Sequence, residues 1–457
     1  MSLLRAWRAR LTGPTARKGL VALIDQGLVS GTNFFSAYLI ATLCAKEEFG
    51  LYALIVAIIT LLMCVQTSLV GLPMAVLGPS KAGDVLRKYL GSSGLLALCL
   101  ALAVAGPALA GAALGWPSGG DGLRRAALPI AAALICLQIK EFYRRVLFVE
   151  LLAGKVLALD AIASVLQVAG MLMLWLGGSG SLVPPVPGQL SAYWALVMIG
   201  ASSLLAAIAG AMLSRGRIAL RSSWSEHKEA WRENWTLGKW ILGAQMGWVV
   251  AAHANTLVVA GVSGLAGAAA FEAPRLLLAP LQVLAFGGGN ILAPRAAKVL
   301  SEGGAPALLR FMRPVTLVWS VIFVVYGLLV AAAPGQWLRL LYGSKYAGLE
   351  TTVLLWSGFY VLSGLATIPC IILTVLHSTR LLLFIVVLGG VVMLVLSAWL
   401  CEFMGPIGGV AARLALQIVI LISTSVIAAA KLRGGAVDGS SLECERTAGA
   451  SRTWGQE

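Results

Sequence analysis

Residues 49–76 read FGLYALIVAIITLLMCVQTSLVGLPMAV, a run without a charged side chain. An α-helix rises about 1.5 Å per residue, so roughly 20 apolar residues cross the hydrocarbon of a bilayer. This stretch is long enough to do so. It is too long for a barrel strand, which spans in about 10 residues. In lipid the backbone must satisfy its own hydrogen bonds, and a helix does that within one segment.

The same reading repeats in both directions from this stretch. Twelve spans are expected, at 19–44, 49–76, 90–115, 126–146, 156–178, 191–214, 236–262, 268–293, 313–334, 351–376, 381–402 and 406–430. The bulk composition agrees. The chain is 59% hydrophobic and 12% charged, with a mean hydropathy of +0.90. A soluble domain carries about twice that share of charge. The expected fold class is therefore an all-α integral membrane protein. The apolar run after the basic start is too long and too well continued for a cleaved signal peptide, and reads as the first span.

Charge sets the expected orientation. With the N-terminus inside, the inner segments hold 27 of the 34 lysines and arginines and the outer loops hold five. That bias follows the positive-inside rule and places both termini in the cytoplasm. The net charge of +15 is scattered between apolar runs rather than gathered on one soluble face. It fits anionic lipid headgroups, and nucleic acid is not an expected partner. The seven cysteines show neither paired spacing nor a CxxC motif, so no disulfide framework or metal site is expected.

The middle loop, RGRIALRSSWSEHKEAWRENWTLGK from Arg215 to Lys239, places Trp224, Trp231 and Trp235 at helical spacing among charges. It reads as an amphipathic helix at the cytoplasmic interface, and it separates two halves of six spans. The expected organisation is a basic cytoplasmic N-terminus (1–18), an N-lobe (19–214), an interlobe linker (215–235), a C-lobe (236–430) and a polar tail (431–457). A faint repeat supports the division. Asn33 and Pro73 are 40 residues apart and Asn255 and Pro294 are 39 apart, each pair preceding a basic loop.

Polar residues inside spans are costly and mark function. In the first span Asp25, Thr32, Asn33 and Ser36 share a face. Asp160 and Gln167 share one in the fifth, and Gln245, His253 and Thr256 in the seventh, with Asn255 nearby. The eighth span carries Glu272, Arg275, Gln282 and Asn290 in one sector, and Glu272 and Arg275, three apart, are placed to pair. The last has Arg413 and Gln417 four apart, and no acidic residue on its own helix neutralises Arg413. Each group also has a structural reading. Asp25 and Asp160 lie near the cytoplasmic end and can be solvated there, His253 can serve as an interhelical hydrogen bonder, and Glu272–Arg275 as a structural ion pair. Polar faces on several helices of both halves point to a hydrated central cavity. At the end of the fourth span Glu141 and Arg145 have the favourable i, i+4 spacing. That leaves Lys140 and Arg144 as unpaired cations at the cytoplasmic mouth. They suit a phosphate group or simply anchor the helix.

The chain shows no P-loop, no HExxH, no dinucleotide-binding glycine motif and no long outer loop. An enzyme or an ATP-driven pump is therefore not expected.

Several motifs resemble those of bacterial polysaccharide (O-antigen type) flippases of the multidrug/oligosaccharidyl-lipid/polysaccharide exporter superfamily. They are Asp25-Gln26-Gly27 through Ser30-Gly31-Thr32-Asn33-Phe34, Glu47-Glu48-Phe49-Gly50-Leu51-Tyr52, Glu141-Phe142-Tyr143-Arg144-Arg145, Trp231 to Trp240, and Leu341-Tyr342-Gly343-Ser344-Lys345-Tyr346-Ala347. Their order and spacing carry the resemblance, which covers most of residues 20–430. It implies two pseudo-symmetric six-helix lobes around a central cavity that alternates between the membrane faces. It implies a bacterial inner-membrane protein whose substrate is an undecaprenyl-pyrophosphate-linked oligosaccharide. Polysaccharide polymerase and assembly proteins would be its partners. It also implies coupling to protons or sodium rather than a bound cofactor. On this reading Arg275, Arg413, Arg144 and Lys140 hold the anionic head. Asn33, Asn255, Gln282, Asn290 and Gln417 line the cavity, and Asp25, Asp160, Glu272 and His253 are the coupling candidates. The competing readings are a multidrug cation antiporter of the same superfamily, a membrane-embedded glycan polymerase or ligase, and a scaffold of a polysaccharide assembly complex.

Overall fold

The computed structural model describes residues 14–113, 121–177, 190–219, 222–376 and 378–433. Most of the basic N-terminus and of the polar tail lie outside these described residues. No strand occurs among them. The helices are α1 (Pro14–Leu43), α2 (Lys46–Gln66), α3 (Gly83–Ala113), α4 (Asp121–Val149), α5 (Ala153–Gly177) and α6 (Ala192–Leu213). They are followed by α7 (Trp224–Leu276), α8 (Ala279–Ala332), the short α9 (Pro334–Tyr342), α10 (Glu350–Val375), α11 (Thr379–Met404) and α12 (Pro406–Arg433). Nine helical stretches among the described residues are long and apolar enough to cross a membrane. The chain is thus a multi-pass helical membrane protein of two lobes.

Glycine turns divide the two longest helical stretches. Gly264 sits at φ +71°, a conformation that glycine adopts without steric cost. The chain turns there, which separates the seventh span from the first part of the eighth within α7. Gly304, at φ +65°, divides α8 in the same way into the rest of the eighth span and the ninth. The second span continues past α2 through a π turn at Thr67–Gly71 and a short helix, Leu72–Leu77. Pro73 lacks the N–H that an α-helix would need there.

The linker helix is not a separate element. It begins at the Ser223 capping box and runs without a break into the seventh span. It is stapled to α3 and the turn before it: Lys88 pairs with Glu226 at 2.8 Å and Lys81 with Glu233 at 3.0 Å. The Tyr89 hydroxyl donates to Asn234 Oδ1 at 2.6 Å. Lys88 and the Ser223 N–H hold the Glu226 carboxyl down at about 2. Trp231 turns inward and donates to the Ser92 carbonyl at 2.8 Å. Trp224 and Trp235 stay exposed, as aromatic side chains at a membrane interface do.

At the opposite end of the bundle the lobes are latched together. The Lys345 ammonium, on the turn after α9, donates to the carbonyls of Ala41 (2.6 Å) and Cys44 at the end of α1. A cation suits the negative end of a helix dipole. Burial pushes the Lys345 ammonium below its ordinary pKa. The Tyr38 and Tyr342 rings meet across the same seam at 6.4 Å. Nearer the linker end, a cleft of about 700 Å³ opens between α1, at Gln26 and Gly27, and α8, at Val283, Gly287 and Trp319. Its walls are almost wholly apolar.

Candidate functional site

Two charged centres lie inside the bundle. The first lies in the N-lobe, where α4 presents Lys140, Glu141, Arg144 and Arg145 on successive turns. Sequence spacing leaves Lys140 and Arg144 unpaired along their own helix, and the structure corrects this. Lys140 Nζ lies 3.0 Å from Asp160 Oδ1, and Arg144 Nε 2.5 Å from Asp160 Oδ2. Arg144 Nη2 reaches Asp25 Oδ2 at 2.9 Å. Arg145 pairs with Glu141 at 2.7 Å, as the spacing indicates. The physical reason is cost. Asp25 and Asp160 are 2% and 0% exposed, not solvated at a helix end, and buried carboxylates need counter-charges. Arg144 thus ties α1 to α4 and α5 through two carboxylates. Gln167 adds a second tie between α5 and α1, donating to Ser36 at 2.9 Å. One buried oxygen, Asp25 Oδ1, has no hydrogen-bond partner among the described residues.

The polar face expected on α1 divides in two. Asp25, Thr32 and Ser36 are buried, whereas Asn33 is exposed. Asn33 is seven residues from Gln26 and shares its face, and Gln26 lines the cleft. Asn255, its counterpart in the faint repeat, is buried and donates to the Gly409 carbonyl at 2.9 Å. The two asparagines therefore sit in different environments.

The second centre lies in the C-lobe. Glu272 and Arg275 pair at 2.8 Å, as their spacing indicates, and Thr256 donates to the other Glu272 oxygen at 2.6 Å. The Arg413 guanidinium donates to the Ala252 carbonyl at 2.6 Å. It also lies over the rings of Trp356 and Phe359, 5.5 and 5.0 Å from their centroids. No carboxylate pairs with it among the described residues. A carbonyl dipole and two π-faces stabilise a cation without neutralising it. Counting Arg275, Arg413 and Glu272, this centre carries one positive charge more than it cancels. His253 lies within electrostatic reach of both arginines. Gln282 accepts from the Tyr360 hydroxyl at 3.1 Å and adjoins Val283 on the cleft wall. Gln417, one turn from Arg413, is buried. The side chain of Asn290 lies outside the described residues.

The expected eighth span is one helix over 268–293, and here the structure differs. α7 ends at Leu276 and α8 begins at Ala279, with Leu278 at φ −103°, ψ 3° between them. Pro274 and Pro280 bracket this break, and each removes a backbone donor. The amides of Leu277 and Leu281 bond only three residues back, to Pro274 and Leu278. The carbonyls of Ala273 and Leu277 would therefore be orphaned. Tyr342 and Tyr326 hydroxyls donate to them, each at 2.9 Å. The Trp356 indole N–H donates to the Phe271 carbonyl at 2.9 Å. Broken backbone at membrane depth is tolerated where protein groups satisfy it in this way. Arg275 sits at the break, so these three aromatics fix its position. They are invisible to sequence reasoning, because a Tyr or Trp in an apolar run reads as packing. Pro274 and Pro280 are the signals that locate the break.

Tyr342→Phe is expected to cost about 1–3 kcal/mol, the penalty for leaving the buried Ala273 carbonyl without a donor. Denaturant unfolding in detergent, set beside Leu340→Ala at an exposed site on the same helix, reads the loss. Equal stability of the two variants would show that the hydroxyl does not support the break.

No family model matches the chain, and no curated protein does. Solved structures do match in fold. An inward-facing multidrug resistance MATE family transporter of the MOP superfamily superposes with a TM-score of 0.71 at 13% identity, covering 90% of this chain and 96% of that one. The lipid II flippase MurJ, in an inward closed conformation, gives 0.62 at 12% identity, covering 89% and 86%. An outward-facing MATE family transporter gives 0.61 at 15% identity, covering 93% and 98%. The chain therefore has the two-lobed helical fold that MATE transporters and MurJ share.

Proposed function

We propose that this chain is an alternating-access flippase that moves an undecaprenyl-pyrophosphate-linked oligosaccharide from the cytoplasmic to the outer leaflet of a bacterial inner membrane. The observation that carries the reading is Arg413, a cation held inside the bundle by dipoles and π-faces with no carboxylate paired to it among the described residues. A diphosphate is the partner such a site lacks. The apolar cleft between α1 and α8 supports the same reading, because a polyprenyl chain could lie there while the head enters the bundle. One structural neighbour is itself described as a lipid II flippase. Arg275 and Arg413 would hold the diphosphate. Arg144 and Lys140, engaged with Asp25 and Asp160 in this conformation, would meet it only by exchanging partners. Asp25, with its unpartnered buried oxygen, leads the coupling candidates, ahead of Asp160, Glu272 and His253.

The likeness to multidrug transporters supports a second reading, a cation antiporter. A cationic drug would meet net positive charge at Arg275 and Arg413, which disfavours it. One experiment separates the two. The purified protein is reconstituted into vesicles with a fluorescent polyprenyl-diphosphate oligosaccharide on one leaflet, and appearance of the glycan at the other leaflet is followed. Protein-dependent flipping, with no efflux of cationic dyes, is the expected result. Dye efflux without glycan flipping would overturn the proposal in favour of the antiporter.

A further inference from the structure

A second cavity, away from the cleft, lies on the flank of the N-lobe. Its volume is about 570 Å³, within the range of roughly 300–1,000 Å³ typical of small-molecule sites. One wall is a stripe of α3, where Gly91, Leu95 and Leu98 follow one another on a single helix face. Tyr143 of α4 and Ala211 of α6 stand opposite. Leu95 and Leu98 are 37% and 41% exposed, so the trough is open along its side, as a groove facing lipid would be.

At the linker end the wall changes from apolar to polar, with Ser214, Arg215 and His227. The nearby cations are already engaged: Lys81 and Lys88 with glutamates of the linker helix, and Arg217 with Glu150 at 3.8 Å. Arg215 is exposed and forms no ion pair among the described residues. Ser214 is 2% exposed, and its hydroxyl has no hydrogen-bond partner among them. An orphaned buried hydroxyl is costly and points to a group from outside the chain. His227 is anchored at this mouth through Nδ1, 2.8 Å from the Ser92 hydroxyl.

We infer that this groove binds one anionic glycerophospholipid from the leaflet on the linker side. Its phosphate sits on Arg215 and the Ser214 hydroxyl, and one acyl chain runs along the Gly91–Leu95–Leu98 stripe. Basic mouths above apolar grooves suit anionic lipid headgroups. A soluble phosphate would have no use for the apolar trough. The site stands apart from the transport path and does not rest on the proposed substrate. Its walls combine α3, α4, α6, the 214–219 connector and the linker helix, so the lipid would reinforce the docking of the linker to the N-lobe.

The test uses the full-length protein, delipidated in neutral detergent. Phosphatidylglycerol, phosphatidylcholine and inorganic phosphate are titrated separately, with bound lipid read by native mass spectrometry and stability by melting temperature. Phosphatidylglycerol is expected to bind about five- to tenfold more tightly than phosphatidylcholine, whose phosphate is the same but whose choline cation is repelled by Arg215. Arg215→Gln, at an exposed site, removes both the phosphate contact and the repulsion of choline, so it weakens phosphatidylglycerol more than phosphatidylcholine and erases the preference. Ala211→Trp fills the trough and weakens binding of both lipids. Undiminished phosphatidylglycerol preference in Arg215→Gln would overturn the assignment. So would inorganic phosphate stabilising the protein as strongly as phosphatidylglycerol, which would mark a soluble-anion site.

Discussion

Alanine at Arg275 and Arg413 together is expected to abolish surface polysaccharide in the parent strain and to lower flipping in vesicles by at least about 100-fold. Each guanidinium would make charge-assisted contacts with a diphosphate, worth roughly 1.5–3 kcal/mol apiece. Losing two removes at least about 3 kcal/mol, or a factor of about 100. The single variants should differ in kind. Among the described residues Arg413 has no carboxylate partner, so Arg413→Ala removes a cation whose loss strands no buried anion there. Its effect falls on transport. Arg275→Ala strands Glu272, whose side chain is 8% exposed, so it lowers stability as well. Adding Glu272→Gln should restore the fold but not the flux, which separates the two contributions. Arg413→Lys keeps the charge but gives up the planar stack on Trp356 and Phe359, and should fall between wild type and alanine. Wild-type levels of surface polysaccharide in the double alanine variant, with normal amounts of protein in the membrane, would remove both arginines from the site.

What could be read in the sequence follows from range. Span existence depends on runs of about 20 residues, and among the described residues helices stand at the expected places, the eighth broken at Leu278. The Glu272–Arg275 and Glu141–Arg145 pairs lie within a turn of one helix, so spacing finds them. The Arg144–Asp25 pair joins residues 119 apart, and spacing says nothing about it. The eighth span shows the same limit at closer quarters. A sector argument for Glu272, Arg275 and Gln282 assumes 100° per residue throughout, and the break at Leu278 upsets that phase. Pro274 and Pro280 announce the break. Its rescue by Tyr326, Tyr342 and Trp356 depends on packing of the α7–α8 junction against the far part of α8, α9 and α10, which no local pattern encodes.

Arg144→Ala is expected to be the most destabilising single change in the N-lobe, at about 3–5 kcal/mol, the cost of breaking a buried ion pair by removing one partner. The reason is asymmetry. Asp160 would keep Lys140 at 3.0 Å, but Asp25, 2% exposed, would keep no cation. One of its oxygens already lacks a partner among the described residues, so the orphaned carboxylate has nowhere to turn. Lys140→Met should cost less, because Arg144 still holds Asp160 at 2.5 Å. Asp25→Asn placed on Arg144→Ala removes the stranded charge and should recover most of the loss, even though the double variant has fewer native contacts than the single one. Denaturant unfolding in detergent of the wild type, Arg144→Ala, Asp25→Asn and the double variant, read as a double-mutant cycle, decides the matter. If Asp25→Asn fails to rescue Arg144→Ala, the cost arises from the lost stacking of the guanidinium on the Phe148 ring. The charge bridge would then not be what fastens α1 to the rest of the lobe.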